Sequence, residues 1–533
     1  MSAPADTAPP EDLDIGSFSD DPPWLVDPDA MTWRGAVPAA RWVVRRSLPE
    51  LTRPRRLPGG TRVLRVVRHL GMAVGLWAIG ARRQGGSASK ADISRRLRIA
   101  AEHLGPTYIK LGQIISSGDG LFPEELVSEF KKCRDQVPAE PWWAVRQVVE
   151  SELGAPLDSV FAHFERTPLA AASIAQVHAA TLRTGEEVVV KVQRPSVATL
   201  VHADLKVMAW LAPFLVGRIP IAALANPPAL VELFAETITE ELDFRLEAAN
   251  MLDVARSFHD LGQEGYVVPR PHPTLVTPRM LVMERLHGFA FDDVEGMRRA
   301  GVDTEAVIRT GMVGFMEGAM IHGIFHGDLH GGNLFVLADG RVGLLDYGII
   351  GRMDEFKRRA FLRLLITATM NDVMGQLAAL RDLGALPADT DLDAVIRDLG
   401  LDKPPVDPTT LSADEMVGEI QRVVKALLGY GARLPKELML FVKNMVFLDG
   451  AIATLAPDLD LFAEIASIST YFAETHGEQI AEEVGMPLDA YEIDLAGVKG
   501  SFGVDADTER LTYRELQERR ELIRSRFQKR QVG

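Results

Sequence analysis

The chain has 533 residues, of which 47% are hydrophobic and 25% are charged, and its formal net charge is −16. This is the composition of a globular protein long enough for about three to four domains, and it excludes a wholly disordered chain, collagen and a coiled-coil fibre. The single cysteine, Cys133, excludes a disulfide framework and any cysteine-rich zinc or iron–sulfur site.

The charge is distributed unevenly along the chain. Residues 1–40 carry eight acidic side chains against one basic side chain, Arg34, and many prolines. They lack the basic and apolar regions of a secretory signal, and they predict a disordered acidic leader. Residues 41–100 carry fifteen Lys or Arg against two acidic residues, a net charge of +13.

This basic segment also has apolar residues at helical spacing, at Val63, Leu64, Val67 and Leu70. A basic amphipathic helix is typical of membrane-surface or partner-docking segments, and the alternative is a solvated helix face. We expect an anionic membrane surface as its partner and no nucleic acid, with the protein cytoplasmic and peripheral at the inner face of the membrane. No run reaches the roughly 18–20 uninterrupted apolar residues of a spanning helix.

Beyond residue 90, helical blocks alternate with two hairpins. Helical patterns cover residues 91–104, 123–132 and 142–153, and period-two segments within 170–193 turn at Thr184-Gly185. One long helix is predicted over 227–251 and two short strands near 266–269 and 280–284. Residues 304–461 are mostly helical apart from a hairpin turned at Asp339-Gly340, and a charged helix is predicted over 508–529. This order predicts an α+β fold with two lobes.

The most informative segment is HGDLHGGN at residues 326–333, followed by LLDYG at 344–348. Asp328 and Asn333 lie five positions apart on a Gly-rich loop, and Asp346 ends the second strand of the following hairpin. Pairing of the two strands should bring Asn333 beside Asp346, and their oxygens suit a hard cation such as Mg²⁺. Asp328 would then face a nucleophile, which is the arrangement of a phosphoryl-transfer site.

The histidines of this segment allow a different interpretation. His322, His326 and His330 could bind zinc or iron as in a metallohydrolase. No further carboxylate–histidine cluster completes such a shell, so we expect His326, and by the same argument His330, to orient the loop backbone.

Lys191 lies in the apolar strand VVVKVQ, where burying its charge is costly unless the ammonium is paired. It is either the cation of the ATP α/β-phosphates or one half of a structural salt bridge. Its candidate partners are Glu240, Asp243 and Glu247, which share one face of the predicted long helix.

Four further motifs give the chain a resemblance to a known family: KLGQ at 110–113, AAASIAQVH at 170–178, VKVQRP at 190–195 and ELDFRLEAAN at 241–250. Together with the two loops, they resemble the UbiB (aarF-type, coenzyme-Q-kinase) family of atypical kinase-like proteins over residues 95–460. The resemblance implies a two-lobed protein-kinase-like fold with an N-terminal helical (KxGQ) extension. The predicted domains are the disordered acidic leader (1–40), the basic amphipathic segment (41–90), the KxGQ extension (91–160), the N-lobe (161–290), the C-lobe (291–460) and a helical C-terminal tail (461–533).

The resemblance also implies a role for each matching residue. Asp328 is the catalytic aspartate, Lys191 the catalytic, phosphate-binding lysine, and Glu247 its partner. The other implied residues fall into three groups: metal ligands (Asn333, Asp346), further nucleotide-binding residues (Ala170, Ala171, Ala172, Ser173, Met283, Glu284, Leu286) and a family-specific lid that blocks protein substrates (Lys110, Gln113, Glu241, Asp243).

The sequence therefore predicts an Mg-ATP-dependent atypical kinase or ATPase near the membrane, with a small-molecule or lipid acceptor. The family resemblance alone links it to isoprenoid-quinone or lipid metabolism. Two alternatives stay open. Ala175, where the family has Gly, and the lid favour an ATP-binding scaffold with little turnover. HGDLHGGN, where the family has DPHPGN, resembles aminoglycoside- and choline-type phosphotransferases.

Overall fold

The structure is a computed structural model of the chain. It describes residues 17–20, 22–27, 30–53, 58, 60–84, 86–116, 123–133, 138–215, 227–370, 372–401, 426–427, 429–432, 435–485 and 507–521. These residues form two compact units. Unit 1 comprises Met1–Gly288, Asn333–Phe335 and Gly343–Ile350, and unit 2 comprises Phe289–Gly332, Val336–Val342 and Gly351–Gly533.

An antiparallel sheet forms the centre of unit 1, in the order β1-β3-β4-β7-β6 with β2 beside β3. The predicted hairpin at Thr184-Gly185 is confirmed, and its register pairs Ala175 with Gln193. Alternate residues of β4 (Val188, Val190) point into an apolar core that helix α6 (Trp142–Leu153) covers. The strands within Met1–Gly288 are β1 (Phe161–Phe164), β2 (Ala170–Ala171), β3 (Ala175–Leu182), β4 (Glu187–Gln193), β5 (Tyr266–Val267), β6 (Pro271–Val276) and β7 (Met280–Glu284).

Nine described helices accompany this sheet in unit 1. They are α1 (Val37–Thr52), α2 (Thr61–Ile79), α3 (Gly86–Leu104), α4 (Pro106–Ser116), α5 (Glu124–Phe130), α6 (Trp142–Leu153), α7 (Val197–Leu215), α8 (Pro227–Glu240) and α9 (Phe244–Asp260). The prediction of one helix over 227–251 is wrong, because the helix is interrupted between α8 and α9. Asp243 has an extended backbone there, and its carboxylate accepts the N–H of Arg245 as the N-cap of α9.

The basic segment folds as α1, α2 and the start of α3, and α2 packs against α3. Its predicted apolar row divides between two faces, since Val63 is buried whereas Leu64 and Val67 are exposed. Arg62 forms a bidentate ion pair with the fully buried Asp204 of α7, at 2.6 and 2.9 Å. Part of the basic charge is therefore structural and ties α2 to α7.

The prediction of a disordered leader over 1–40 is wrong for its second half. Phe18 and Trp33 are buried, and the carbonyl of Ser17 accepts the N–H of Val268. The indole N–H of Trp33 donates to the carbonyl of His272. Isolated apolar residues in this acidic segment thus pack against the rest of unit 1, while residues 1–16 lie outside the described residues.

Unit 2 is mainly helical. Several of its helices begin at an aspartate whose carboxylate accepts backbone N–H groups of the first turn, as Asp303, Asp354 and Asp460 do. Its helices are α10 (Val294–Arg299), α11 (Thr304–Glu317), which runs into a π-helical turn (Gly318–His322), α12 (Glu355–Thr369), α13 (Val373–Asp382), α14 (Leu392–Leu399), α15 (Lys436–Leu455) and α16 (Leu461–Val484).

The remaining strands are β8 (Phe289–Ala290), β9 (Ile324–His326), β10 (Leu334–Val336), β11 (Val342–Leu344) and β12 (Ile350–Arg352). Strands β10 and β11 form the second predicted hairpin, and Gly340 in its turn donates to the carbonyl of Leu337. The predicted helix over 508–529 is described only to residue 521, and residues 486–506 and 522–533 of the C-terminal tail lie outside the described residues.

Among the described residues, two helices, α7 and α15, are long and apolar enough to cross a membrane by length and composition. In each helix, 44% of the most apolar window is buried inside the protein. Core helices of globular proteins satisfy the same criterion, so it does not identify a membrane span.

Candidate active site

Lys191 lies on β4, a central strand of unit 1, with a side chain that is only 10% exposed. Its Nζ donates to Oε1 of Glu247 at 2.7 Å and to Oδ2 of Asp346 at 3.1 Å. The structure therefore brings together three of the residues predicted for nucleotide and metal binding. Of the candidate partners on the predicted long helix, Glu247 contacts Lys191 from the first turn of α9.

The electrostatics of this cluster keep the lysine charged. Burial disfavours the ammonium, but the carboxylates of Asp346 and Glu247 outweigh this effect and raise the pKa of Lys191 above its ordinary value. Burial raises the pKa of Glu247 to about 7, and Lys191 opposes that rise. A charged, fixed ammonium suits a phosphate-binding role.

Asn333 and Asp346 lie side by side at the base of the second hairpin, since the N–H of Leu345 donates to the carbonyl of Asn333 at 3.0 Å. The Asp346 carboxylate is 41% exposed and accepts the N–H of Gly348 at 2.9 Å. An amide oxygen and a carboxylate are hard donors, and Mg²⁺ is commonly held by one or two carboxylates together with substrate phosphates. The residues therefore fit an Mg²⁺ ion bound with ATP.

The residue after Asp346 is held inside unit 1. Tyr347 is fully buried, its N–H donates to Oε1 of Glu247 at 3.4 Å, and its carbonyl accepts from Nδ2 of Asn250 at 2.9 Å. Glu247 and Asn250 are one turn apart on α9, so one helix binds both Lys191 and the backbone of the segment 344–348, which we call the Asp346 loop.

The KLGQ motif lies on α4 and contributes one member of the predicted lid to this region. Lys110 forms an ion pair with Glu241 at 3.0 Å, and the Glu241 side chain is buried whereas that of Lys110 is half-buried. A Cβ on Gly348 would lie 3.2 Å from Cγ of Glu241 and 3.1 Å from Oδ1 of Asp346, so the glycine admits the close approach of Glu241 to the Asp346 loop.

The other lid residues have different contacts. Asp243 caps α9 and binds the guanidinium of Arg245, with its closest contact at 2.6 Å. The carbonyl of Gln113 accepts the hydroxyl of Ser116 within α4. The glycine of the motif has a packing role, because a Cβ on Gly112 would lie 2.6 Å from the ring of Phe130.

The Ala-rich segment contains the short strand β2 and a tight turn, in which the N–H of Ala172 donates to the carbonyl of Ala175 at 2.9 Å. The carbonyl of Ala172 accepts from Arg194, and Ser173 in the same turn is buried. The segment is thus an internally bonded turn at the edge of the sheet, next to the strand that carries Lys191.

The predicted adenine-binding segment begins with the last two residues of β7 and continues into the residues after the strand. The side chain of Met283 is buried and Leu286 is half-buried. The carboxylate of Glu284 accepts the N–H of Arg270, and the N–H of Glu284 donates to the carbonyl of Arg270. Glu284 is therefore engaged inside unit 1.

Asp328 lies in unit 2, on the loop after β9. Its N–H donates to Nδ1 of His326 at 3.1 Å, and the N–H of Gly332 donates to Nδ1 of His330 at 3.1 Å. Both histidines therefore orient the loop backbone, as the sequence predicts. Among the described residues, no group of three or more His, Cys, Asp or Glu could hold a metal ion.

The carboxylate of Asp328 forms an ion pair with Lys443 of α15. The next residue, Asn444, is fully buried and binds the loop on both sides of Asp328, accepting the N–H of Leu329 at 3.0 Å and donating to the carbonyl of His326.

Known proteins with similar sequences belong to the family that these motifs indicate. The ABC1 atypical kinase-like domain matches residues 132–378. A probable protein kinase UbiB of Pseudomonas aeruginosa is 33% identical over 388 residues, covering 70% of this chain and 71% of the relative. The chain belongs to the ABC1/UbiB family of atypical kinase-like proteins.

The chain is also similar to one further curated protein and to one solved structure. An uncharacterised protein of Mycobacterium tuberculosis, Rv0647c, is 38% identical over 380 residues, with 69% of this chain and 76% of the relative covered. A solved structure of a complex of Rv3197 with erythromycin, from the same organism, is 22% identical, covers 62% of this chain and 89% of that chain, and gives a TM-score of 0.37. The fold of this ABC1/UbiB protein is α+β and kinase-like, as the sequence predicts.

Three polar residues that contact the site loops were not predicted from the sequence: Asn250, Lys443 and Asn444. Asn250 belongs to the ELDFRLEAAN motif, and its position one helical turn after Glu247 was the available signal. Lys443 and Asn444 were visible as polar interruptions of an apolar helix, but nothing in the sequence identified the loop that they contact.

Proposed function

We propose that this ABC1/UbiB protein transfers the γ-phosphoryl group of Mg-ATP to water or to the hydroxyl of a small-molecule or lipid acceptor. The observation that carries the proposal is the buried Lys191 ammonium bound by Glu247 and Asp346. A lysine buried on a central strand is stable only with such partners, and phosphoryl-transfer enzymes use this pairing to present the cation to the phosphates.

In the proposed reaction, Lys191 binds the α- and β-phosphates and Glu247 keeps its ammonium in place. The acceptor oxygen forms a bond to the γ-phosphorus as the bond to the β,γ-bridging oxygen breaks, and ADP leaves with that electron pair. Asp328 orients the acceptor hydroxyl and takes up its proton. Asn333 and Asp346 would hold Mg²⁺, which when bound neutralises charge on the phosphate oxygens.

The remaining matched residues complete the proposed nucleotide site. The segment from Met283 to Leu286 receives the adenine and the turn Ala170–Ser173 covers the phosphates. The ion pair of Lys110 with Glu241, beside the Asp346 loop, supports the family's implied lid. Such a lid favours water or a small acceptor over a protein acceptor, and the isoprenoid-quinone or lipid class of acceptor rests on the family resemblance.

The surface of α2 supports a location at an anionic membrane. Leu64, Leu76 and Ile79 are 72%, 55% and 81% exposed, and Arg65 and Arg68 are exposed among them. Aliphatic side chains beside arginines match a bilayer interface, where the apolar groups enter the acyl boundary and guanidinium groups meet lipid phosphates. A solvated helix face would carry polar side chains at these positions.

The test of the reaction is Mg-ATP hydrolysis by the wild type and by Asp328→Asn, with and without vesicles containing an anionic phospholipid. We expect turnover that the vesicles stimulate and that Asp328→Asn lowers by about 10²- to 10⁴-fold. Asp339→Asn is the matched control, because Asp339 is an exposed turn residue of the second hairpin. Binding of a fluorescent ATP analogue without turnover sensitive to Asp328→Asn would instead establish the ATP-binding scaffold.

Two further measurements separate the acceptor and the membrane from the reaction itself. ATP consumption stimulated by hydrophilic alcohols and not by lipids would establish the aminoglycoside- or choline-type alternative. Vesicle co-sedimentation should weaken as salt rises and should decrease in Leu64→Ser/Ile79→Ser, whereas Leu401→Ser, which changes an exposed leucine of unit 2, should bind like the wild type. Equal binding to neutral vesicles would refute the electrostatic interaction.

A further inference from the structure

Helix α15 of unit 2 presents two consecutive polar residues to the loop that carries Asp328. Asn444 binds the loop backbone at His326 and Leu329, and Lys443 forms an ion pair with the Asp328 carboxylate. The two contacts have different targets, since Asn444 fixes the main chain around Asp328 and Lys443 contacts the carboxylate itself.

The lysine is enclosed, and so is its partner. The Lys443 side chain is 13% exposed and that of Asp328 is 19% exposed. A charge at this depth on a helix that is otherwise apolar enough to cross a membrane destabilises the fold unless its partner is well placed. A methionine would fill the same space at lower cost, so stability alone does not account for a lysine at this position.

We propose that Lys443 is a positioning residue for phosphoryl transfer, which holds the Asp328 carboxylate in one orientation toward the acceptor hydroxyl. This inference rests on the proposed function, in which Asp328 orients the acceptor and takes up its proton. An ion pair with a fixed cation keeps the carboxylate in one orientation toward the acceptor hydroxyl. A displacement of about 1 Å at a reacting group lowers the rate by about 10²-fold. Lys443 acts through Asp328 and leaves the binding of ATP to the residues of unit 1.

The experiment measures kcat and KM for Mg-ATP hydrolysis in Lys443→Met, Lys443→Gln and Lys443→Arg. We expect kcat to fall by about 10- to 100-fold in the two neutral variants, with KM for ATP and the Kd of a fluorescent ATP analogue within about twofold of the wild type. Lys443→Arg keeps the cation and should retain kcat to within about fivefold.

The matched control is Lys357→Met. Lys357 forms an ion pair with Glu437 at 2.8 Å, at the start of the same helix and away from the Asp328 loop. Lys357 lies on α12, so its substitution removes a lysine–glutamate pair between α12 and α15 and should leave kcat unchanged. A comparable fall of kcat in this control would show a general effect of α15 packing and would overturn the inference.

A double variant separates positioning from a merely structural role. If Lys443 acts through Asp328, Asp328→Asn/Lys443→Met has the same kcat as Asp328→Asn. If the loss of kcat in the double variant equals the product of the losses in the two single variants, or if both neutral variants keep the wild-type kcat, the inference about Lys443 is refuted. The proposed function is not affected by either result. Wild-type protein without Mg-dependent turnover, or with turnover insensitive to Asp328→Asn, would refute the proposed function and this inference together.

Discussion

Substitution of Lys191 by methionine tests the electrostatics of the buried cluster through the stability of unit 1. It removes the ammonium that lies 2.7 Å from Glu247 and leaves that carboxyl enclosed. Burial raises the pKa of Glu247 to about 7 while Lys191 opposes the rise, so the pKa increases further once the ammonium is gone. In Lys191→Met, Glu247 is therefore mostly a neutral acid in the folded protein at pH 7 and below.

The sign of the pH dependence follows from proton linkage. An acid whose pKa is raised by folding binds more protons in the folded state, so its contribution to stability is complete below its unfolded pKa of 4.5 and is lost as the pH rises through the folded pKa. The interval from 4.5 to about 7 corresponds to about 3 kcal/mol, at about 1.36 kcal/mol per pKa unit. We expect the free energy of unfolding of Lys191→Met to fall by that amount between pH 4.5 and pH 7, relative to Lys191→Met/Glu247→Gln.

The assay is urea denaturation followed by intrinsic tryptophan fluorescence at several pH values. This fluorescence reports on unit 1, to which all seven tryptophans belong: Trp24, Trp33, Trp42, Trp77, Trp142, Trp143 and Trp210. The double variant is the matched control, because it has no titrating group at position 247. The same pH dependence in the single and double variants would refute the reasoning.

Three further predictions concern other parts of unit 1 and use binding or the same fluorescence. Asp346→Asn should abolish Mg-dependent binding of a fluorescent ATP analogue, and unchanged binding would contradict the metal assignment. Arg62→Met leaves Asp204 buried without its cation and should lower the free energy of unfolding by about 3–5 kcal/mol, which Arg62→Met/Asp204→Leu should recover. Burial lowers the pKa of His272 to about 4, so stability should decrease by up to about 3 kcal/mol as the pH falls from 6.5 to 4, and His272→Gln should lack this dependence.

The parts of the fold that the sequence predicted correctly are those set by local pattern. The hairpins at Thr184-Gly185 and Asp339-Gly340 have strand periodicity on both sides of a Gly turn, and such a turn fixes the register without help from distant residues. The pairing of Lys191 with Glu247 was foreseeable as one of three options, because a buried lysine needs an acid and the ELDFRLEAAN helix offered acids at helical spacing.

The errors concern features that depend on distant packing. The apolar row through Leu242 and Leu246 continues across the break between α8 and α9, and only the cap at Asp243 marks the interruption. Phe18 is buried against elements that lie more than 200 residues later in the chain, and the composition of its acidic surroundings resembles disorder.

The sequence indicated the candidate site residues that belong to a motif. It did not indicate those that stand alone in the chain. Asp328 lies in a loop with a recognisable motif. Its partner Lys443 follows 115 residues later, in a helix whose apolar sequence pattern indicates only that the helix is buried. No spacing rule connects the two, because loop and helix meet only in the folded unit.

The division of the chain into units has a consequence for protein engineering. The polypeptide passes between the units at Gly288, Gly332, Phe335, Val342 and Ile350, so neither unit is a continuous stretch of sequence. A truncated protein that ends at Gly288 would lack Asn333 and Asp346 of unit 1 as well as Asp328. An exchange of one unit between relatives therefore cannot be made at a single junction, because the stretch 289–350 alternates between the two units and each unit has to be rebuilt from several separate segments.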